Sequence, residues 1–320
     1  MKADAIGGYF ELELKHGVSY HPDAICLNSA RNCFEHILRV RKWKRVFLPY
    51  YSCEALLQPV KHQNIQVVFY HIDWKLEPVS LPILRDDDAF LYINYFGLKE
   101  DTVKKLAYKY REHLIVDNSQ AFYSPRITGI DTFYSPRKYF GVPDGGYLYS
   151  DIVADYPIIT DTSSVERMMH LCKRIEKDAE SGYQLFRNAE RELDKAPIMR
   201  MSNLTHRILS SIDYKECASI RRDNFIYLAS HLSSHNLLNI SLGPKDVPMV
   251  YPLLLNASIR QQLYDKRIYV ATYWDSVKGL PDSMVESILS RNMVPLPIDQ
   301  RYSRKEMDFI IRTLNSLITH

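Results

Sequence analysis

The sequence lacks any paired arrangement of cysteines. It has only five, an odd number, and none of them forms a Cys-x-x-Cys pair. Neither a disulfide framework nor a cysteine zinc site is indicated, and reduced thiols in a cytoplasmic protein are expected. The cysteines are scattered along the chain at positions 26, 33, 53, 172 and 217.

The chain also lacks a strong charge of either sign. Its net charge is +3, from 41 basic and 38 acidic residues, which is too small to indicate a nucleic-acid partner. Five cations around Trp43, in 39–45, form the one basic cluster. A nucleic-acid patch is conceivable there, but a solvated surface near a helix end is favoured.

Long apolar runs are missing as well. No run approaches membrane-spanning length, and residues 1–8 have no apolar core of the signal-peptide kind, so no membrane association is expected. His231 and His235 share a helix face, but no glutamate follows His231 and no further ligand is near. No metal site is predicted.

What the sequence does contain is an alternation of strand-like and helix-like segments in its first half. This pattern predicts a mainly parallel sheet flanked by helices. A helical stretch follows over 163–235. Residues from about 248 read as a small α+β unit, including strands at 249–254, 269–272 and 293–296. We therefore predict a large α/β domain over 1–235, with the helical connection included, and a small C-terminal domain over 236–320.

Several polar residues fall just past the predicted strand ends. Ligands of parallel sheets bind at the carboxyl edge, which these residues would share. They are Ser29, Tyr50, Tyr95, Asp117 and Ser135.

The most informative stretch is 132–149, in which Lys138 precedes Gly145-Gly146. An amine attacks aldehydes only if its proton leaves easily, and the aromatic surroundings and adjacent Arg137 promote this. Glycines allow a bulky group to approach the backbone. A Schiff-base lysine fits this setting, although a surface lysine with an apolar stem would look similar. Ser-x-x-Lys, from Ser135, also occurs in acyl-serine enzymes, but their other motifs are missing.

Two further motifs suit a phosphorylated pyridine cofactor. A buried Asp117 beside a pyridine nitrogen would keep that nitrogen protonated, and Gln120 can bond the ring from the side. Ser29, with the free N–H groups of Ala30 and Arg31 and the Arg31 guanidinium, would hold a phosphate. From the local sequence alone, Asp117 is more typical of a turn cap and Ser29 of an ordinary helix cap.

Taken together, these residues resemble the DegT/StrS family of sugar aminotransferases, which are pyridoxal 5'-phosphate (PLP) enzymes of fold type I. The resemblance rests on Asp117-Asn118-Ser119-Gln120 with the lysine and Gly-Gly at this spacing, supported by 27–32, 47–52, 200–202 and 294–298. It implies the fold type I architecture, a homodimer, and a lysine that favours transamination over dehydration.

The resemblance also implies the site. Lys138 would bind the cofactor covalently, Asp117 and Gln120 would contact its ring, and Ser29 with its neighbours would hold its phosphate. The sequence departs from the family at Ala30-Arg31, which replace Gly-Thr, and at Phe133, which replaces a phosphate-binding serine. Ser135 would take over that contact. Cys53 aligns with the aromatic that covers the ring, so Tyr51 or Tyr50 would serve instead.

The predicted function is PLP-dependent transfer of an amino group, from glutamate, to a nucleotide-linked keto sugar in surface polysaccharide or secondary-metabolite biosynthesis. Two alternatives remain open. One is another PLP reaction, such as elimination, on the same scaffold. The other is a non-catalytic protein that binds the cofactor or a partner for regulation or assembly.

Overall fold

The computed structural model describes residues 6–152, 154, 156–277 and 279–318. Its main sheet has seven strands in the order β1-β7-β6-β5-β4-β2-β3, and a second sheet pairs β8 with β9 antiparallel. The strands are β1 (Ile25–Leu27), β2 (Arg45–Pro49), β3 (Gln66–Tyr70), β4 (Asp88–Ile93), β5 (Leu114–Asn118), β6 (Asp131–Tyr134), β7 (Gly146–Tyr149), β8 (Val250–Leu254) and β9 (Met293–Pro297).

Helices cover the sheets and link them. They are α1 (Ala30–Arg41), α2 (Leu57–His62), α3 (Glu100–Tyr110), α4 (Ser164–Arg167), α5 (Met169–Glu176), α6 (Ala179–Lys195), α7 (Asn203–Ser210), α8 (Tyr214–Leu232), α9 (Arg260–Asp265), α10 (Val285–Asn292) and α11 (Arg304–Ile318).

The predicted mainly parallel sheet is confirmed. Strands β2 to β6 run parallel to their neighbours, and only β7 is antiparallel, between β1 and β6. Since β7 opposes both neighbours, β1 points the same way as the parallel strands. The carboxyl ends of six strands therefore meet at one edge, as the polar residues at the strand ends predicted.

Apolar residues form two cores. The larger fills the space around the seven-stranded sheet, whose interior strand β4 is buried at all six positions. The second lies around β8 and β9 and includes Phe225, Leu228 and Leu232 from the last turns of α8. This helix therefore connects the main domain with the smaller sheet, while the division at residue 235 stays a prediction.

One predicted element is wrong. Residues 269–272 form no strand. Instead, the Val270 carbonyl accepts a hydrogen bond from the Tyr264 hydroxyl at 2.9 Å, so a side chain satisfies the backbone group that a strand neighbour would use. Within the described part of the chain, no helix is both long and apolar enough to cross a membrane.

Candidate active site

Lys138 lies in a short turn that follows β6. Its backbone N–H donates to the Ser135 carbonyl at 3.3 Å, and its side chain remains accessible to solvent. The pKa of this amine is nevertheless lowered, first by desolvation among the surrounding protein atoms. Cys53 and Asp117 oppose the shift and Arg137 adds to it. The amine therefore loses its proton more readily than in water.

Asp117 is the penultimate residue of β5 and is 6% exposed. Burial raises the pKa of this carboxyl to about 6, against the pull of hydrogen bonds from Ser119 and of the charge on Lys138. One bond is the Ser119 N–H donating to Asp117 Oδ1 at 2.8 Å. Asp117 and Lys138 thus act on each other electrostatically, so the structure brings the two predicted residues into one site.

The predicted phosphate turn lies directly against the glycine pair. Ser29 caps α1, where its Oγ accepts from Asn32 N–H at 3.1 Å. Gly145 N–H donates to the Asn28 carbonyl at 2.7 Å. A Cβ at Gly146 would lie 2.5 Å from the Ser29 carbonyl carbon and 2.7 Å from the Ala30 nitrogen. Only glycine permits this contact, which fixes the turn relative to the lysine loop.

The two arginines next to these segments are both tied to α6. Arg31, in the phosphate turn, pairs with Asp194, and Arg137, beside the lysine, pairs with Glu190. The Nε atoms of both arginines are buried and have no hydrogen-bond partner among the described residues. Burial lowers the pKa of Arg137 to about 10, and Arg31 contributes to the shift. The two guanidinium groups therefore influence each other, and each is balanced by an acid of α6.

Gln120 is buried and holds two neighbouring segments together by hydrogen bonds. Its Oε1 accepts from Phe96 N–H at 3.0 Å, and its carbonyl accepts from the Tyr139 hydroxyl at 2.8 Å. The residue thus connects the turn after β4 with the residue that follows Lys138. The predicted contact of Gln120 with a cofactor ring stays a prediction.

Tyr51 is fully buried, and its hydroxyl lies 4.0 Å from the Met293 sulfur at the start of β9. Its backbone carbonyl accepts from the Tyr95 hydroxyl at 2.8 Å. Tyr50, the other aromatic considered, stacks on Phe69 and His71. Both rings are therefore engaged by protein groups.

Sequence reasoning left two residues, Cys53 and Tyr273, out of the site. Cys53, which is exposed, acts on the charge of Lys138 and on Tyr273. Burial raises the pKa of Tyr273. The family resemblance aligns Cys53 with the aromatic residue that covers the cofactor ring, and this alignment is a signal that Cys53 belongs to the site. Tyr273 comes from the C-terminal part of the chain, and nothing in its local sequence marked it.

Other kinds of site find no support in the described residues. They contain no group of three or more histidine, cysteine, aspartate or glutamate side chains arranged to hold a metal ion. The basic cluster is partly neutralised, since Arg41 pairs with Asp131 and Arg45 with Asp88. This fits the solvated surface expected there.

Comparison with solved structures assigns the fold. The chain is similar to an aminotransferase of Streptoalloteichus hindustanus (16% identity, 92% of this chain and 86% of that one, TM-score 0.64). It is also similar to a DegT/DnrJ/EryC1/StrS aminotransferase of Brucella abortus (14%, 92% and 85%, TM-score 0.59). A third is a protein of Streptococcus pneumoniae described as a sugar aminotransferase, in its PLP form (15%, 91% and 86%, TM-score 0.58).

The chain thus has the fold of sugar aminotransferases, and the fold class implied by the resemblance is confirmed. No family model matches the sequence, and no curated protein does. At such low identity the comparisons establish the architecture alone, and the chemistry must be argued from the site.

Proposed function

We propose that the protein is a PLP-dependent aminotransferase. The observation that carries this proposal is the pairing of Lys138, an accessible amine with a lowered pKa, with the buried carboxyl of Asp117. A lysine and an acid arranged in this way suit an aldehyde cofactor with a basic ring nitrogen. The solved relative from Streptococcus pneumoniae, in its PLP form, supports the choice of cofactor.

The residues also fit the phosphate of PLP. The 12-residue helix α1 presents its N-terminus at Ser29, and its first N–H groups have no acceptor within the helix. The Ser29 hydroxyl, the Ala30 and Arg31 N–H groups, the Arg31 guanidinium and Ser135 would hold the anion. Gln120 and Tyr51 would contact the cofactor from the surrounding wall.

Bound PLP acts as an electron sink for a carbanion next to the amino group. Lys138 Nζ would remove the proton from the amino-bearing carbon of the donor as general base, and its lowered pKa suits that task near neutral pH. Asp117, ionised above about pH 6, would accept a hydrogen bond from the protonated ring nitrogen. Arg137 favours the neutral form of its neighbour Lys138 by charge repulsion.

The substrates and the assembly belong to the same proposal. We propose a nucleotide-linked keto sugar as amino acceptor, glutamate as donor, and a cytoplasmic homodimer serving polysaccharide or secondary-metabolite biosynthesis. The support is the sugar aminotransferase description of a solved relative.

Spectroscopy tests the proposal. PLP added to the purified protein should give a visible absorbance band that changes when glutamate is supplied, and borohydride should fix the cofactor on Lys138. Lys138→Ala should abolish the band, whereas Lys61→Ala, on the exposed surface of α2, should keep it. A mutant at 138 that stays yellow and active would refute the assignment. A band that never responds to an amino donor would favour elimination or the non-catalytic alternative.

A further inference from the structure

A cavity of about 620 Å³ lies behind the phosphate turn, between α1, residues 156–160 and the start of α7. Its size is that of a ligand site or of an interface pocket for a few side chains. Its floor adjoins the proposed active site, because the Met201 methyl would lie 3.2 Å from a Cβ at Gly145. The lining includes Leu27, His36, Ile158, Arg200, Met201 and His206.

Arg200 and His36 are the informative polar groups of this cavity. Arg200 is exposed at the rim, its Nε donates to the Ile158 carbonyl at 3.2 Å, and it forms no ion pair within the described residues. Among the described residues that line the cavity, none is acidic. His36 is 0% exposed, and its Nε2 has no hydrogen-bond partner in the described part of the chain. The cavity is therefore partly apolar and electropositive at its edge.

The N-terminal residues have the opposite properties. Residues 8–14, named here the arm, form neither helix nor strand and carry two glutamates and no base. Tyr9 is 100% exposed, Phe10 91% and Leu12 58%. Consecutive large apolar side chains left this open mark a segment that binds another surface. The arm thus offers exposed apolar groups and, at Glu13, a negative charge that has no ion pair among the described residues.

We propose that the arm of a second copy of this chain binds in the cavity. Phe10 and Leu12 would enter its apolar part, and Glu13 would meet Arg200 at the rim. This deepens the homodimer put forward under the proposed function, by assigning the surfaces that pair. The inserted side chains would also support Met201 and, through it, Gly145 of the active site.

The position of the arm explains why the partner is a second copy. Glu11 lies 3.4 Å from Arg207 of α7, and the Asn203 and His206 positions of the same helix line the cavity. Arm and cavity therefore lie side by side on one face. A two-fold axis through this face brings each arm to the other copy's cavity, which gives a closed, self-complementary interface.

Charge reversal tests the contact. By sedimentation analysis, Arg200→Glu and Glu13→Arg should each raise the dimer dissociation constant about tenfold or more, because each opposes like charges. The double variant should recover most of the affinity. Arg312→Glu and Glu192→Arg, both exposed, are the controls and should change nothing. Single variants without effect, a double variant without recovery, or a monomeric wild type would overturn the proposal.

A crosslink identifies the copy that supplies the arm. The half-buried thiol of Cys26 lines the cavity, so Leu12→Cys should form a disulfide with it under mild oxidation. The proposal expects a covalent dimer that disappears in Leu12→Cys/Cys26→Ser. A disulfide within one chain would show that the arm fills its own cavity and would overturn the proposal.

Both assays work without cofactor, so they are independent of the aminotransferase assignment. A protein that dimerises through the arm but never binds PLP would refute the proposed chemistry and leave this interface standing. If instead the arm variants stay dimeric and the protein transfers the amino group of glutamate, the interface would be refuted and the proposed function would stand.

Discussion

Gly146 and Ser29 are in such close backbone contact that a methyl group at residue 146 would lie 2.5 Å from the Ser29 carbonyl carbon. The carbonyl belongs to the turn that caps α1, and the glycine begins β7. The lysine loop and the candidate phosphate turn are therefore held together by main-chain contact, with no side chain between them.

Gly146→Ala should separate the two segments. We expect a loss of about 1–3 kcal/mol in the free energy of unfolding, typical of an overpacked site, together with weaker PLP binding. Denaturant titration and cofactor titration measure the two effects. Gly141→Ala is the matched control, since its Cβ would meet only the Leu171 side chain at an ordinary 3.5 Å. Equal behaviour of the two variants would contradict the argument.

Asp117→Asn should stabilise the cofactor-free protein above pH 6. A carboxyl whose folded pKa is about 6, against 3.8 ordinarily, contributes stability below pH 3.8 that is lost as the pH rises through 6. The amide keeps the Ser119 hydrogen bond without the charge, so the variant should gain about 1–3 kcal/mol at pH 7.5 relative to pH 4. Urea titrations at both pH values check this. Asp101→Asn, on exposed α3 surface, should show no such gain.

The same substitution should damage catalysis while leaving the protein folded. An amide cannot hold the ring nitrogen protonated, so we expect amino-transfer kcat to fall about 100-fold or more. Single-turnover kinetics with saturating PLP isolates this step. Activity close to wild type would remove Asp117 from the site and leave its stability effect unexplained by function.

His21 should make the protein sensitive to acid. Burial lowers the pKa of His21 to about 4, opposed by its hydrogen bond to the Phe122 carbonyl. A base with a depressed folded pKa contributes stability above pH 6.5 that is lost as the pH falls to 4. Wild type should lose about 2–3 kcal/mol from this group between pH 7 and 4.5. His21→Gln should lose correspondingly less in urea titrations, whereas His231→Gln, exposed on α8, should match wild type.

Cys53 should report on cofactor binding. Its thiol is exposed and lies near Lys138, so it should react with iodoacetamide in the free protein and react several-fold more slowly once PLP is bound. Peptide mass spectrometry follows it alongside Cys172, which should react at the same rate in both states. Equal labelling of Cys53 with and without PLP would place the cofactor elsewhere.

The sequence was sufficient to predict the site residues that lie at the ends of strands. Asp117 lies at the carboxyl end of β5 and Lys138 follows the neighbouring parallel strand β6, so the order of the sheet brings them to one edge. The alternation of apolar and amphipathic segments was enough to indicate that sheet. The strand expected at 269–272 failed because β-branched and aromatic residues favour a strand only where a neighbouring strand is available for pairing.

The partners of the site residues could not be predicted in this way. Asp194 and Glu190, which bind Arg31 and Arg137, come from a helix far along the chain and look like ordinary surface acids. The packing of Tyr51 against Met293 depends likewise on how the second sheet is placed. Such contacts are set by tertiary structure and leave no local pattern.

Glu190 and Asp194 are four residues apart, so they occupy adjacent turns on one side of α6. Through these two ion pairs, α6 sets the spacing between the segment around residue 31 and the segment around residue 137. Inserting one residue between the two acids would rotate one of them by about 100° and release its arginine. The length of α6 between these positions is consequently as constrained as any residue that touches substrate.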